Sequence, residues 1–162
     1  MELHKFGIRF RIVNSAAKPL HDFIPVFHGW IQRQAVAGHL LVDVHDYSHV
    51  PNGPGILLVA HEANLNIGGV ERSVVYVRKQ PAPLAETVQA AHGVAKLLVE
   101  EQGVKIETGQ FEVFANDRLL APNTADSARQ WQPIIAQATG GRVAQKPNDP
   151  REPLTFVVTR QP

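Results

Sequence analysis

The chain has 162 residues, 44% hydrophobic and 19% charged, which is typical of a folded globular protein and argues against an intrinsically disordered one. Its formal net charge of +1 provides no electrostatic basis for binding nucleic acid or an anionic membrane. The chain contains no cysteine, which excludes disulfides, thiolate metal sites and a cysteine nucleophile.

The first predicted elements are a strand and a helix. Residues 6–13 alternate apolar and polar side chains, a pattern that predicts a half-buried strand. Residues 20–34 place large apolar side chains at helical spacing and predict a helix. Asp22 is its predicted N-cap, and Pro25 then lies in the first turn, where a missing N–H costs little.

Three further strands are predicted in the next part of the chain. Two strand-like runs, at 40–50 and 56–67, flank the turn sequence Pro-Asn-Gly-Pro-Gly at 51–55. This arrangement predicts a β-hairpin with a loop longer than two residues. After a Gly-Gly pair, residues 72–79 predict a third strand.

The rest of the chain combines helices and strands, and each predicted helix ends at a glycine. The predicted elements are a helix at 84–102 ended by Gly103, a strand at 111–115, a helix at 124–139 capped by Thr124 and stopped by Gly140, a loop at 144–153, and a strand at 154–160.

The predicted order, βαβββαβαβ, favours an α+β fold over residues 1–162 as a single domain. Hairpin-linked strands are antiparallel, so we expect a two-layer sandwich of a mainly antiparallel sheet with helices on one face, of which a decorated ferredoxin-like arrangement is one form. No apolar run approaches the roughly 20 residues that a membrane helix requires. We therefore expect a soluble, cytoplasmic protein.

Six of the eight histidines lie between residues 21 and 62, together with several acids. Strand registers are chosen so that apolar faces coincide, and this matching predicts that Asp43, His45, Tyr47 and His49 lie alongside Glu62, Asn64 and Asn66. The same register predicts that His61 lies close to Asp46. One face of the sheet is thus expected to be apolar and covered by helices, and the other rich in imidazole, carboxylate and amide groups; Arg9 and Arg11 extend it if the first strand joins the sheet.

Three interpretations of this polar face are open. It is a solvated or oligomeric surface, a metal or small-molecule site, or a catalytic site. Asp43, His45, Glu62 and His49 are the candidate ligands for one divalent transition metal, although His45 and His49 are about 13 Å apart in an unbroken strand. His45 and Glu62 are the candidate catalytic pair, in which the carboxylate tunes the imidazole as a general base. His92, in the second predicted helix, is expected to be a helix-face residue.

The segments HDFIPVFHGWIQ at 21–32 and DYSHVPNGPGILLVAHE at 46–62 resemble a group of bacterial proteins to which no activity is attached. The resemblance covers mainly residues 6–79. It implies no reaction, ligand or fold for the residues named above.

The sequence favours a small binding or assembly module that acts through its polar sheet face as a homo-oligomer, because open sheet faces and edge strands are usually paired or covered. We also expect a small molecule or another protein as a binding partner. The alternative is a metal- or histidine-dependent enzyme, similar to a hydrolase, that uses the same face.

Overall fold

Eight strands and three helices make up the fold in the computed structural model, which describes residues 4–14, 18–69 and 71–160. The strands are β1 Phe6–Arg11, β2 Leu41–Tyr47, β3 Gly55–Ala60, β4 Ala63–Gly68, β5 Ser73–Arg78, β6 Gln110–Ala115, β7 Arg142–Gln145 and β8 Thr155–Thr159; the helices are α1 Phe23–Arg33, α2 Leu84–Gln102 and α3 Ala125–Thr139.

The strands form one antiparallel sheet in the order β2-β3-β4-β5-β1-β6-β8-β7. The three helices pack against one face of this sheet and share one hydrophobic core with it. The predicted α+β class and antiparallel sheet are confirmed, whereas the ferredoxin-like arrangement is not. No helix in the described ranges is long and apolar enough to cross a membrane.

Helix α1 begins later than predicted and in a different way. A 3-10 turn at Leu20–Asp22 precedes it, so the backbone of Asp22 is already helical (φ −68°, ψ −15°) and its side chain makes no capping bond. Asp22 thus occupies the predicted N-cap position of α1, but its side chain does not cap the helix. Pro25 does lie in the first turn, and Phe23, Phe27 and Trp30 are buried as their spacing predicts.

The other helix boundaries agree with the sequence. Gly103 and Gly140 end α2 and α3 in the left-handed conformation (φ 69° and 70°), which glycine adopts at little cost. Thr124 caps α3 through its hydroxyl oxygen, which accepts a hydrogen bond from the Ser127 amide at 3.2 Å.

The predicted strand at 56–67 is wrong, because it is two strands joined by a turn at His61 and Glu62. The apolar positions change parity at this turn: Leu58 and Ala60 are buried on the helix side before it, and Ala63 and Leu65 after it. A two-residue connection between paired strands produces this change, whereas a continuous strand would place Ala60 and Ala63 on opposite faces.

The far edge of the sheet also differs from prediction. Residues 142–145 form strand β7, which pairs with β8, although part of this segment was predicted to lie in a loop. The strand has only four residues, between Gly141 and Pro147, and its inward residue Val143 is half-buried against the core. Such a short edge strand lacks the alternation needed to detect it from sequence.

Candidate functional site

The strands direct alternate side chains away from the helices, and no helix of the described chain covers this side of the sheet. We call this surface the uncovered face. From the pairing of the strands, its outward residues include Asp43, His45, Tyr47, Leu57, Val59, Asn64, Asn66, Val75, Val77, Gly7, Arg9, Arg11, Gln110, Glu112, Phe114, Thr155, Val157, Arg142 and Ala144.

The edge strand β2 contributes an acid and an imidazole to the uncovered face, as the sequence predicted. His45 Nε2 lies 3.5 Å from Asp43 Oδ2, and both side chains are about half exposed. The His45 ring stacks on Tyr47 with its centroid 6.1 Å away. A contact this exposed contributes little to stability, and it leaves the Asp43 carboxylate accessible at the edge of the sheet.

Glu62 does not join this pair. His45 lies opposite Leu57 in the register, whereas Glu62 Oε1 accepts a hydrogen bond from the Leu40 amide at 2.9 Å. Leu40 and His45 are five positions apart along this edge, on the order of 15 Å. Partial burial raises the pKa of Glu62. Hydrogen bonds from the Leu40 amide and from its own amide lower the pKa by more than this, so the net shift is a decrease.

The expected proximity of His61 and Asp46 is also wrong. The His61 amide donates to the Leu40 carbonyl, whereas Asp46 pairs with Ile56 near the other end of β2. Asp46 instead contacts Ser48 and His21. The Ser48 hydroxyl donates to Asp46 Oδ1 at 2.5 Å, and His21 Nε2 is 2.7 Å from the Ser48 oxygen.

This cluster does not have the geometry of an activated nucleophile. Because the Ser48 proton points to Asp46, His21 donates to the hydroxyl oxygen and cannot accept its proton. Hydrogen bonds from the Ser48 hydroxyl and amide, together with His21 and His49, lower the pKa of Asp46 and make it a weak base. The cluster is therefore a hydrogen-bonded surface turn.

The predicted metal ligands are dispersed. Asp43 and His45 are adjacent, but Glu62 lies at the β3–β4 turn and His49 in the turn after β2. Within the ranges that the structure describes, no group of three or more His, Asp or Glu side chains could hold a metal ion. The metal and catalytic roles of Asp43, His45, Glu62 and His49 stay predictions, without a third ligand beside the Asp43–His45 pair.

The centre of the uncovered face is built around Glu112, which the sequence analysis did not single out, and Arg9, which it placed on this face if β1 joined the sheet. Glu112 accepts hydrogen bonds from Arg9 Nη1 at 2.7 Å and from Lys146 Nζ at 2.8 Å. Burial raises the pKa of Glu112, but the bonds from Lys146 and Arg9 outweigh it and lower the pKa overall. Glu112 alternates with apolar neighbours, so its sequence context indicated an outward side chain but not these distant partners.

Phe114 lies flat on the uncovered face over Gly7. A Cβ atom at Gly7 would be 2.1 Å from the tip of the Phe114 ring, so the close approach requires glycine. The Arg9 guanidinium lies 5.0 Å from the centroid of the same ring. Only 8% of Phe114 is exposed, although no helix covers it, which leaves a level surface at the centre of the face.

An apolar patch flanks strand β4 on this face. Leu57, Val59 and Val77 are half-buried and Val75 is buried, on the strands to either side of Asn64 and Asn66. Asn64 Oδ1 is buried and has no hydrogen-bond partner among the described residues. Buried amide oxygens are usually satisfied, so this oxygen marks a place where a donor is missing.

A separate polar network lies beneath the loop between α1 and β2. Arg78 Nη1 donates to the Tyr76 hydroxyl at 3.1 Å, and this hydroxyl donates to His39 Nε2 at 2.7 Å. His39 Nδ1 in turn donates to the Ala37 carbonyl at 2.9 Å. Burial raises the pKa of Tyr76, partly opposed by Arg78, so the phenol stays protonated and holds the loop on the sheet.

No family model matches the chain, and no curated protein matches it in sequence.

Proposed function

We propose that the protein is an assembly module that pairs with a second copy of itself through the uncovered face. The observation that carries this proposal is an eight-stranded sheet packed by helices on one side only, with an apolar patch and a flat aromatic ring on the other. Antiparallel sheets can leave one face in water, but such a face is then mostly polar. Here Leu57, Val59, Val75 and Val77 interrupt the polar pattern.

The size of the uncovered face fits a dimer. Eight strands at ~4.8 Å spacing extend about 38 Å, and three rows of outward residues extend about 20 Å along the strands. These dimensions give about 750 Å² per copy, close to the roughly 800 Å² that each partner contributes to a stable interface.

The charges on the face favour a second copy over an unrelated partner. The half formed by β2, β3, β4 and β5 contains the carboxylate of Asp43 and no outward Lys or Arg. The half formed by β1, β6, β8 and β7 is positive, because four cations outnumber the carboxylates of Glu112 and of Glu107, which lies in one pocket with Arg9 and Arg11. These cations are Arg9, Arg11, Arg142 and Lys146.

A two-fold axis parallel to the strands, between β5 and β1, would place each half over the opposite half of the other copy. Asp43 and Lys146 lie in one row at opposite edges of the sheet, so this axis brings the Asp43 carboxylate of one copy to the Lys146 ammonium of the other. Leu57 and Val157 also share a row and would meet across the axis. Stacked sheets pack about 10 Å apart, a distance that these side chains span.

Sedimentation velocity tests the proposal. The wild-type chain is expected to sediment as a dimer that dissociates on dilution. Leu57→Lys places a charge in the apolar patch and is expected to shift the chain to monomer, because an unpaired charge would be buried between the sheets. Val99→Lys is the matched control, since Val99 is 41% exposed on α2 and lies away from the uncovered face.

Three outcomes would overturn the proposal. The wild-type chain could sediment as a monomer up to hundreds of micromolar, Leu57→Lys could leave the dimer intact, or Val99→Lys could dissociate it equally. Circular dichroism of both variants shows whether the fold is retained. If Leu57→Lys unfolds the chain, the same comparison with Asp43→Lys, at an exposed edge position, decides the question.

A further inference from the structure

A wide cavity lies at the end of the sheet formed by the start of β6 and the end of β8, beside His92 of α2. Its volume is about 710 Å³, and it is lined by His92, Glu107, Thr108, Gly109, Gln110, Thr159 and Arg160. A second cavity of about 440 Å³ adjoins it on the other side of His92 and Arg160. Both volumes fall within the range of small-molecule sites.

Arg160 is held in one orientation on the wall of this cavity. Its Nε donates to the Thr139 carbonyl at 2.7 Å, and its Nη1 lies 3.3 Å from His92 Nε2. Its guanidinium also lies 5.7 Å from the centroid of the Phe111 ring. None of these contacts within the described chain uses Nη2, so one edge of a fixed guanidinium is left for a ligand.

His92 accepts from Arg160 because it is neutral. Its Nδ1 lies 2.8 Å from the Val88 carbonyl and therefore donates to it, which leaves Nε2 as the acceptor. Burial between Phe10 and Phe111, whose centroids are 4.8 and 5.0 Å away, lowers the pKa of His92. The backbone of Val88 and Thr108 opposes this decrease and the charge of Arg160 adds to it, so the net shift is downward. A neutral imidazole fixes the arginine without repelling it.

Glu107 is fixed in a similar way on the same cavity. Its Oε1 accepts a hydrogen bond from the Gly109 amide at 2.7 Å and lies 3.0 Å from the place that a Cβ at Gly109 would occupy. Its second oxygen, Oε2, has no hydrogen bond within the described residues. Glu107 and Arg160 line one cavity but form no ion pair with each other. The chain segments that carry them are joined by a hydrogen bond from the Arg160 amide to the Gly109 carbonyl.

We infer that this cavity binds a small zwitterion of the α-amino acid class, with its carboxylate on Arg160 and its ammonium group on Glu107. Two opposite charges that are each held by the protein, yet do not contact one another, are suited to a ligand that carries both charges. A simple anion would be repelled by Glu107, and a simple cation by Arg160. The adjoining cavity, lined by Ala85, Val88 and Ala138, offers apolar space for a side chain.

Nuclear magnetic resonance titration of the full chain tests this inference. The probes are the twenty standard L-α-amino acids, added first as a mixture and then singly, with acetate and ethylammonium as single-charge probes. We expect at least one amino acid to shift the amide signals of Gly109 and Arg160 saturably, and both single-charge probes to bind at least tenfold more weakly.

Two variants test the contributions of the two charged side chains one at a time. Glu107→Gln and Arg160→Gln are each expected to weaken amino acid binding at least tenfold, whereas Glu100→Gln, on the exposed side of α2, is expected to leave it unchanged. Glu107→Gln keeps the test valid if Arg160→Gln loosens the end of α3. Acetate binding as tightly as any amino acid would overturn the inference, as would the absence of saturable shifts or full binding by Glu107→Gln. Because Glu107 also lines a pocket with Arg9 and Glu112 on the uncovered face, the titration is repeated with Leu57→Lys, so that dimer formation and ligand binding are measured separately.

Discussion

Replacing Glu112 by Gln tests whether the ion pairs at the centre of the uncovered face stabilise the fold. The change removes one negative charge between Arg9 and Lys146, whose nitrogens lie 2.7 and 2.8 Å from the two carboxylate oxygens. The Glu112 side chain is only 20% exposed, so its pairs are less screened by solvent than ordinary surface pairs. We expect the free energy of unfolding to fall by about 1–2 kcal/mol at neutral pH.

The pH dependence of this loss identifies its cause. Because the folded protein lowers the pKa of Glu112, the stabilisation is fully present above the ordinary glutamate pKa and is lost as the pH falls through the folded value. The difference in unfolding free energy between wild type and Glu112→Gln should therefore be constant from about pH 5 to 8 and shrink below about pH 4.

Urea denaturation at pH 7, 5, 4 and 3 measures these differences. Glu100→Gln serves as the control, because Glu100 is 59% exposed and lies 3.9 Å from Lys96 on the surface of α2. Its effect should stay within about 0.5 kcal/mol at every pH. An equal loss for Glu112→Gln at pH 3 and pH 7, or a loss no larger than that of the control, would refute the electrostatic explanation.

Two further substitutions test packing and hydrogen bonding. Gly7→Ala should reduce the free energy of unfolding by about 1–3 kcal/mol, because the new methyl group would overlap the Phe114 ring. A double-mutant cycle in urea should show a smaller loss in a Phe114→Ala background. An equal loss in that background would contradict the overlap. Tyr76→Phe removes the hydroxyl between Arg78 and His39 and should cost about 1–3 kcal/mol by the same measurement, whereas a cost below about 0.5 kcal/mol would mean that the network does not hold the loop.

Features of the fold that depend on residues close in sequence were predicted more accurately than those that depend on distant contacts. Apolar spacing and terminal glycines predicted helices α2 and α3 closely, because these signals act within a few residues. The alternation of β2 also placed Asp43 and His45 correctly on the uncovered face. Because the turn at Leu20–Asp22 was not recognised, Asp22 was expected to cap α1 through a side-chain bond that it does not make.

The predicted position of Glu62 on the polar face is wrong for an identifiable reason. The run 56–67 was interpreted as one strand, although its apolar positions shift from even to odd numbers at residues 61 and 62. This change of parity is visible in the sequence and indicates a hairpin. A strand that ends there places Glu62 in a turn, far from His45.

Other parts of the surface depend on contacts that sequence spacing does not reveal. Arg9 and Glu112 are 103 positions apart and pair only because β1 lies between β5 and β6. His92 and Arg160, 68 positions apart, meet in the same way where α2 packs over the ends of β6 and β8. A lone histidine on an amphipathic helix predicts neither this partner nor the cavity beside it.

The most direct test of the proposed dimer is cross-linking between opposite edges of the sheet. The natural chain has no cysteine, so His45→Cys and Ala144→Cys each introduce a single thiol, in one row but seven strand spacings apart, about 34 Å. With a bismaleimide spacer of about 10 Å, matched to the separation of stacked sheets, we expect covalent dimers from a mixture of the two variants and not from either variant alone. No product from the mixture, or equal product from a single variant, would contradict pairing of the two copies through the uncovered face.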